Sequence, residues 1–115
     1  MSTRVYKLLR HSEWRQAQRL QVFAGSADDL RDGFIHLSAA HQVRGTFAKY
    51  FAEESETMLV GFSAEDFGPR LKWETSRNGE KFPHLYGTLD LSRAVCVAVI
   101  RGGANGAPAF PPELD

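Results

Sequence analysis

The sequence predicts a single compact α+β domain in which a mainly antiparallel, split β-sheet packs with two main helices. Three observations predict this fold class. The chain has 115 residues, of which 43% are hydrophobic and 24% charged, as in one ordinary globular domain. Short strand-like segments alternate with only two convincing helices, too few for the crossovers of a parallel sheet. No repeat or linker divides residues 1–115.

The first elements follow from local composition. Residues 4–9 are enriched in β-formers, and Val5, Lys7 and Leu9 alternate with Tyr6 and Leu8, which predicts a strand. Ser12 is the expected N-cap of the first main helix, because Ser accepts hydrogen bonds from free helical N–H groups. Ser26 is the expected N-cap of a short helical turn, with acidic residues following it at the positive end of the helix.

A second strand and a longer helix come next. The Asp32-Gly33 turn signal precedes residues 34–37, which are expected to form a short strand. Ser38 is expected to cap a helix from residue 39 to about residue 53. Its apolar residues recur at the spacing of one helical face.

The remaining segments predict strands and loops. Residues 58–62 are apolar on both faces, as in a central strand, and residues 71–74 alternate, as in a half-buried strand. Residues 82–87 are expected to form an aromatic loop, and residues 94–100 a buried strand. The tail, residues 102–115, is rich in Pro and Gly and is expected to be irregular.

Charge and composition exclude several classes of protein. Lys plus Arg and Asp plus Glu both total 14, so a general nucleic-acid binder is not expected. The single cysteine, Cys96, excludes an internal disulfide and a multi-cysteine zinc site. No stretch has the length of a membrane span and no signal-peptide pattern is visible, so we expect a cytoplasmic protein without a membrane partner.

The net charge of zero conceals a gradient. Residues 1–50 carry eight basic and four acidic side chains, and residues 51–115 carry six and ten. One explanation is an uneven scatter of solvated charges. The other is a cleft with a basic wall from the first half and an acidic wall from the second.

Two short segments hold polar groups among residues that favour burial. In a strand, His36 and Ser38 point to the same side, where they could bind a ribose or a phosphate. The alternative is a core histidine bonded to backbone, with Ser38 only capping a helix. His84 and Tyr86 likewise share one side and could hold a flat heterocycle, the alternative being aromatic packing at one end of the core.

Glu74 is the candidate acidic residue, lying on the face opposite Trp73. A carboxylate beside apolar strands can serve in acid–base chemistry or stabilise positive charge. The alternative is a solvent-facing glutamate paired with Lys72 or Arg70. The histidines do not form a metal-binding pattern, so no metal is expected, and Cys96 is expected to be buried and inert. The sequence contains no Gly-rich phosphate loop and no nucleophile elbow.

Several motifs together resemble one family. The segments that carry the resemblance are Val5-Tyr6-Lys7, Trp14, Asp32-Gly33-Phe34-Ile35-His36-Leu37-Ser38, Gln42, Leu71-Lys72-Trp73-Glu74 and Phe82-Pro83-His84-Leu85-Tyr86-Gly87. The chain resembles the bacterial domain-of-unknown-function family 952 from about residue 4 to residue 101. That family has been grouped with the ADP-ribosyltransferase-like fold, a compact α+β domain with two small antiparallel sheets around a nicotinamide dinucleotide cleft.

The resemblance implies a site and a function. The candidate catalytic residues are His36, Glu74 and His84. The candidate ligand-binding residues are Tyr6, Lys7, Ser38, Gln42 and Tyr86. Of these, Lys7 departs from the His of many relatives, and His84 and Tyr86 have no counterpart in that fold and are specific to the family. The implied ligand is a nicotinamide dinucleotide such as NAD, or an ADP-ribose-type compound, which the protein binds or cleaves at the bond between ribose and nicotinamide. The alternative is a non-catalytic domain that binds a small molecule or a protein and whose histidines are structural.

Overall fold

A four-stranded antiparallel sheet is the centre of the computed structural model, which describes residues 3–104 and 106–114 without the side chain of residue 77. Its strand order is β4-β1-β5-β9, and two smaller sheets have the orders β2-β8 and β3-β7-β6. The strands are β1 (Arg4–Arg10), β2 (Val22–Phe23), β3 (Ile35–His36), β4 (Ser38–Ala39), β5 (Glu56–Ser63), β6 (Leu71–Thr75), β7 (Lys81–Leu85), β8 (Leu89–Asp90) and β9 (Cys96–Arg101). The helices are α1 (His11–Leu20), α2 (Ala27–Asp32) and α3 (Val43–Tyr50). The predicted α+β class with antiparallel sheets is confirmed.

The inner strands of the central sheet, β1 and β5, are buried on both faces. Successive side chains of a strand point to opposite faces, so β1 contributes Val5 and Leu9 to one core and Tyr6 and Leu8 to the other. The first core also contains Ala17 of α1 and residues of the sheet β3-β7-β6. The second core is covered by α3. The cleft described below lies where β1, α2 and the sheet β3-β7-β6 meet.

The helix boundaries differ from those expected. Helix α1 begins at His11, and its N-cap is Arg10, whose N–H donates to the Glu13 carboxylate at 2.8 Å. The prediction that Ser12 is the N-cap is therefore wrong, because a carboxylate three residues into the helix satisfies the first free N–H instead. Ser26 caps α2 as predicted, and its hydroxyl accepts from the N–H of Asp29.

The expected helix from residue 39 to about residue 53 is shorter. Ser38 lies in β4, where it pairs with Tyr6 of β1, so the prediction that it caps a helix is wrong. A 3-10 turn over Ala40–Gln42 separates β4 from α3. The expected strand over residues 34–37 is reduced to β3, since the chain leaves one sheet after His36 and joins the other at Ser38. Leu37 is the single residue between them.

The segment predicted as an aromatic loop is instead mostly strand β7, the middle strand of its sheet. Proline is unfavourable in a central strand because it has no N–H to donate. Pro83 is accommodated because β3 ends at His36. The carbonyl of Pro83 still accepts from the N–H of Leu37 at 3.0 Å. The strands predicted over residues 58–62 and 71–74 are confirmed by β5 and β6. The half-buried alternation expected for residues 71–74 is not observed, since Trp73 is 40% exposed.

The last strand, β9, is not buried as predicted. It lies at an edge of the central sheet, paired only with β5, and Val95 and Val97 are about half exposed, at 48% and 51%. Cys96 is half-buried, and its thiol donates to the Glu113 carboxylate at 2.9 Å. Burial, followed by that carboxylate, raises the thiol pKa to about 11.

The described part of the tail is irregular apart from an isolated bridge between Gly103 and Gly106 and a 3-10 turn over Pro112–Leu114. Leu114 is buried against the α3 core. The expectation for residues 105 and 115 falls outside the described residues. No described helix is both long and apolar enough to span a membrane.

Candidate functional site

A cavity of about 250 Å³ opens between β1, α2 and the paired strands β3 and β7. Among the residues predicted for the site, Tyr6, Lys7, His36, Ser38 and His84 line it. The histidines are direct cross-strand partners, and their ring centroids are 5.7 Å apart. The two segments singled out in the sequence therefore meet at one cleft.

Lys7 is buried because its position in β1 falls on the same face as Val5 and Leu9. A buried ammonium requires partners, and Lys7 Nζ lies 2.9 Å from Oδ2 of Asp29. It also donates to the backbone carbonyl of His36 at 3.0 Å. Lys7 is thus committed to holding α2 and β3 against β1.

Asp29 is the most heavily used carboxylate of the cleft. Besides Lys7 it accepts from the N–H of Ser26 at 2.9 Å and from the N–H and Nδ1 of His36 at 3.0 and 2.6 Å. Burial acts to raise its pKa, but the hydrogen bond from His36, the charge of Lys7 and the backbone donors outweigh burial. The pKa of Asp29 is therefore well below its ordinary value.

His36 is held by carboxylates at both ring nitrogens. Nδ1 faces Asp29, and Nε2 lies 2.9 Å from Oδ2 of Asp32, the last residue of α2. A carboxylate only accepts, and both ring nitrogens can donate together only in the imidazolium form. The interpretation of His36 as a histidine fixed only by backbone is therefore incomplete, since side chains hold it as well.

His84 carries the second carboxylate–histidine pair. Its Nδ1 lies 2.9 Å from Oε1 of Glu74, and the hydroxyl of Tyr86 donates to the same oxygen at 2.8 Å. These hydrogen bonds, from Tyr86 first and His84 second, lower the pKa of Glu74, and Glu74 in turn raises the pKa of Tyr86. Glu74 and Tyr86 do not line the cavity, so they can influence a ligand there only through His84.

An aromatic side chain fixes the plane of His84. Phe34 stacks on the His84 ring with centroids 4.0 Å apart, and it also contacts the rings of His36 and Tyr86. With one nitrogen on Glu74 and one face against Phe34, the ring has a defined orientation. Within the described residues, its Nε2 makes no hydrogen bond.

The other predicted binding residues have structural partners. Ser38 is buried, and its hydroxyl lies 3.0 Å from that of Thr46. Gln42 does not line the cavity, because its carboxamide accepts from the N–H of Ala39 and donates to the carbonyl of Lys81. The ring of Tyr6 packs closely on Gly61 of β5.

The charges of the cleft are arranged differently from the predicted basic and acidic walls. Its described charged lining residues all come from the first half of the chain: Lys7, Arg10, Glu13, Asp28, Asp29, Arg31 and Asp32. The predicted division between the halves is wrong, because α2 supplies both signs itself. Lys7 pairs with Asp29, Arg31 with Asp28 and Asp32, and Arg10 with Glu13 and Glu54. No group of three His, Cys, Asp or Glu side chains in the described part of the chain is arranged to hold a metal ion.

Sequence reasoning overlooked Asp29, Asp32, Arg31 and Phe34 as site residues. The signal for Asp29 was Lys7, because a lysine alternating with core residues on a strand requires a buried carboxylate. The Ser26–Asp29 capping spacing placed such a carboxylate on a nearby helix. No comparable signal pointed to Asp32 or Phe34.

Comparisons with known proteins give the same picture of fold and leave the activity open. A family model described as "Protein of unknown function (DUF952)" matches residues 8–97. The crystal structure of protein CC0527 from Caulobacter crescentus is 44% identical, covers 97% of this chain and 98% of its own, and superposes with a TM-score of 0.89. The solution NMR structure of CC0527 is 45% identical, covers 91% of this chain and 90% of its own, and superposes with a TM-score of 0.79. No curated protein matches.

Proposed function

Because the chain belongs to the DUF952 family, for which no activity is described, we propose a function from its cleft: it binds a compact N-glycoside and breaks its glycosidic bond with His84 as general base. The ligand we propose is the nicotinamide–ribose end of a nicotinamide dinucleotide, or an ADP-ribose-type relative. We place this activity in the cytoplasm, the compartment that the sequence favours.

The observation that carries the proposal is the state of the His84 ring. A carboxylate that accepts from Nδ1 fixes the tautomer and leaves Nε2 as the basic nitrogen, as in other carboxylate–histidine pairs. Glu74 occupies that position at 2.9 Å. His84 lines the cavity and its Nε2 has no hydrogen bond from any described residue, so a ligand or a water molecule can use it.

Size and charge restrict the ligand. Cavities for drug-sized ligands are about 300–1,000 Å³, so a cavity of about 250 Å³ suits a nucleoside-sized group, and the rest of a dinucleotide would extend outside. The lining cations are already paired with carboxylates, which favours a neutral or cationic group in the cavity. The oxidised nicotinamide ring attached to ribose is such a group.

In the proposed reaction, water attacks the anomeric carbon of the ribose. His84 Nε2 takes a proton from that water, a carbon–oxygen bond forms and the carbon–nitrogen bond to nicotinamide breaks. The bonding electron pair leaves with the ring nitrogen, so the cationic ring departs as neutral nicotinamide. Positive charge that develops on the ribose is stabilised by the carboxylates of the cleft.

The second candidate is binding without turnover. It is favoured by His36, whose two nitrogens are both engaged by carboxylates, and by Glu74, which lies behind His84 and not at the cavity wall. In this case the two histidines shape the cleft, and the ligand leaves unchanged.

Calorimetric titration and a nicotinamide-release assay test the proposal with NAD, nicotinamide mononucleotide and ADP-ribose. We expect binding, and release of nicotinamide that falls by about 10²–10⁴-fold in His84→Asn. Binding by that variant should persist, since the asparagine amide can still donate to Glu74. His41→Asn is the matched control, because His41 is 73% exposed and outside the cavity.

Each outcome bears on one of the two candidates. Binding without release supports the second candidate and overturns the catalytic one. Absence of heat and of a thermal shift with all three ligands at millimolar concentration overturns the nicotinamide-type ligand. Equal loss of release in His84→Asn and His41→Asn overturns the role of His84 as base.

A further inference from the structure

Asp32 lies in the cleft between Arg31 and His36 and contacts both side chains. Its carboxylate bridges two side chains: Oδ2 lies 2.9 Å from His36 Nε2, and Arg31 donates from Nε to Oδ1 at 2.9 Å and from Nη2 to Oδ2 at 3.2 Å. The two-point contact with the guanidinium is the geometry with which arginine binds carboxylates and phosphates. All three residues line the cavity.

The helix does not hold this carboxylate in place. Asp32 is the last residue of α2, where the negative end of the helix dipole disfavours an acidic side chain. The guanidinium of Arg31 and, to a smaller extent, the ring of His36 lower the pKa of Asp32. The position of Asp32 therefore depends on Arg31 and His36, and exposed polar pairs of this kind contribute little to stability.

Arg31 and His36 keep other partners when Asp32 moves. Arg31 retains Asp28 at 3.0 Å, and His36 retains the buried Asp29 at 2.6 Å. With Asp32 turned outward, the mouth of the cleft presents one imidazole N–H and the two guanidinium N–H groups that Asp32 had accepted. This arrangement matches a carboxylate or one edge of a phosphate.

We infer that Arg31 and His36 form an oxyanion subsite, which the carboxylate of Asp32 fills in the free protein and yields to a phosphate or carboxylate of the ligand. The inference rests on the proposed function in so far as the ligand occupies the same cleft. The subsite would bind the phosphate next to the ribose, for which the cleft of the free protein has no unoccupied site. Asp32 then acts as a competitor that excludes ligands without an oxyanion in that position.

Titration with inorganic phosphate tests the subsite without any nicotinamide compound. In Asp32→Ala we expect phosphate to bind about tenfold more tightly than in the wild type, because it no longer displaces an ion pair. Asp28→Ala is the matched control, since it removes the other carboxylate from Arg31 but leaves Asp32 on His36. NMR signals of the His36 ring report whether phosphate reaches it, and a parallel titration with acetate separates a carboxylate preference from a phosphate preference.

The outcomes decide the inference independently of the proposed function. A tenfold gain in Asp32→Ala that disappears in Asp32→Ala/His36→Asn, with circular dichroism showing folded proteins, supports it. An equal gain in Asp28→Ala would mean a general change in charge and overturns it. So does unchanged phosphate binding in Asp32→Ala, or a gain that survives the loss of His36. If NAD and its relatives fail to bind while phosphate behaves as expected, only the proposed nicotinamide ligand is lost.

Discussion

Replacement of Asp29 should be among the most damaging single changes to the stability of the protein. Its buried carboxylate accepts from Lys7, from the N–H of Ser26 and from two donors of His36. Lys7 is only 7% exposed, and Asp29→Ala leaves its ammonium with one backbone carbonyl as hydrogen-bond partner. Breaking a buried ion pair by removing one member costs about 3–5 kcal/mol. We expect the free energy of unfolding to fall by that amount.

The structure also orders the related variants. Lys7→Met should cost less, about 1–3 kcal/mol, because Asp29 keeps Ser26 and His36 as donors. Asp28→Ala, on the same helix but with a side chain 58% exposed, should cost less than about 1 kcal/mol. The double variant Lys7→Met/Asp29→Leu should lose less than the sum of the two single changes, because no charge is then left unpaired in the core.

Urea unfolding followed by tryptophan fluorescence measures these differences, since Trp14 packs against the core. The pH dependence adds a second check. Because the pKa of Asp29 is lowered in the folded protein, its contribution is present above the ordinary value of 3.8 and is lost as pH falls through the folded value. The gap between wild type and Asp29→Ala should therefore shrink in acid. A loss in Asp29→Ala no larger than that in Asp28→Ala would refute the reasoning.

Three further predictions concern other parts of the fold. Gly61→Ala should destabilise the protein by about 1–3 kcal/mol in the same urea assay, because the added methyl would lie 2.9 Å from a tyrosine ring carbon; an unchanged midpoint would contradict this packing. Glu113→Gln should lower the pKa of Cys96 from about 11, since a neutral amide no longer opposes the thiolate, which ultraviolet absorbance of the thiolate reports; a thiol pKa that stays in place would leave burial as the whole cause. Glu74→Gln should lower the pKa of Tyr86 towards the ordinary 10.0, seen as earlier phenolate formation in a spectroscopic pH titration and compared with Glu53→Gln, for which no change is expected.

The hydrophobic pattern of a segment was enough to predict those strands whose burial in the fold follows that pattern. The two-faced apolar run of β5 was readable, because burial on both faces leaves a direct trace in the residues of a strand. The alternation of residues 71–74 located β6 but not its burial, since Trp73 is 40% exposed. Strand β9 was misread because an apolar run resembles a buried strand even where one of its faces meets solvent. Strand β7 was missed because Pro83 is a loop signal, and only the early end of β3 makes it acceptable in a sheet.

The site was partly predictable for a similar reason. His36 and His84 were singled out as polar residues in apolar segments, but their pairing across β3 and β7 is a property of sheet register and not of either segment. Asp29 appeared to be a favourable charge at a helix end, and its burial depends on the packing of α2 against Lys7. Ser38 is a residue type that often caps helices, but its backbone pairs with β1 instead.

Leu37, the single residue between β3 and β4, limits how the cleft can respond to a ligand. His36 is tied by its strand to one sheet and Ser38 to the other, so the backbone on the two sides of the cavity cannot separate without breaking strand pairing. The backbone around the cavity should therefore stay fixed when a ligand binds. Rotation of surface side chains is then the motion that costs the least free energy. Selection among ligands should then depend on fit to a fixed shape, and amide hydrogen exchange at His36 and Ser38 should be equally slow in the free and the bound protein.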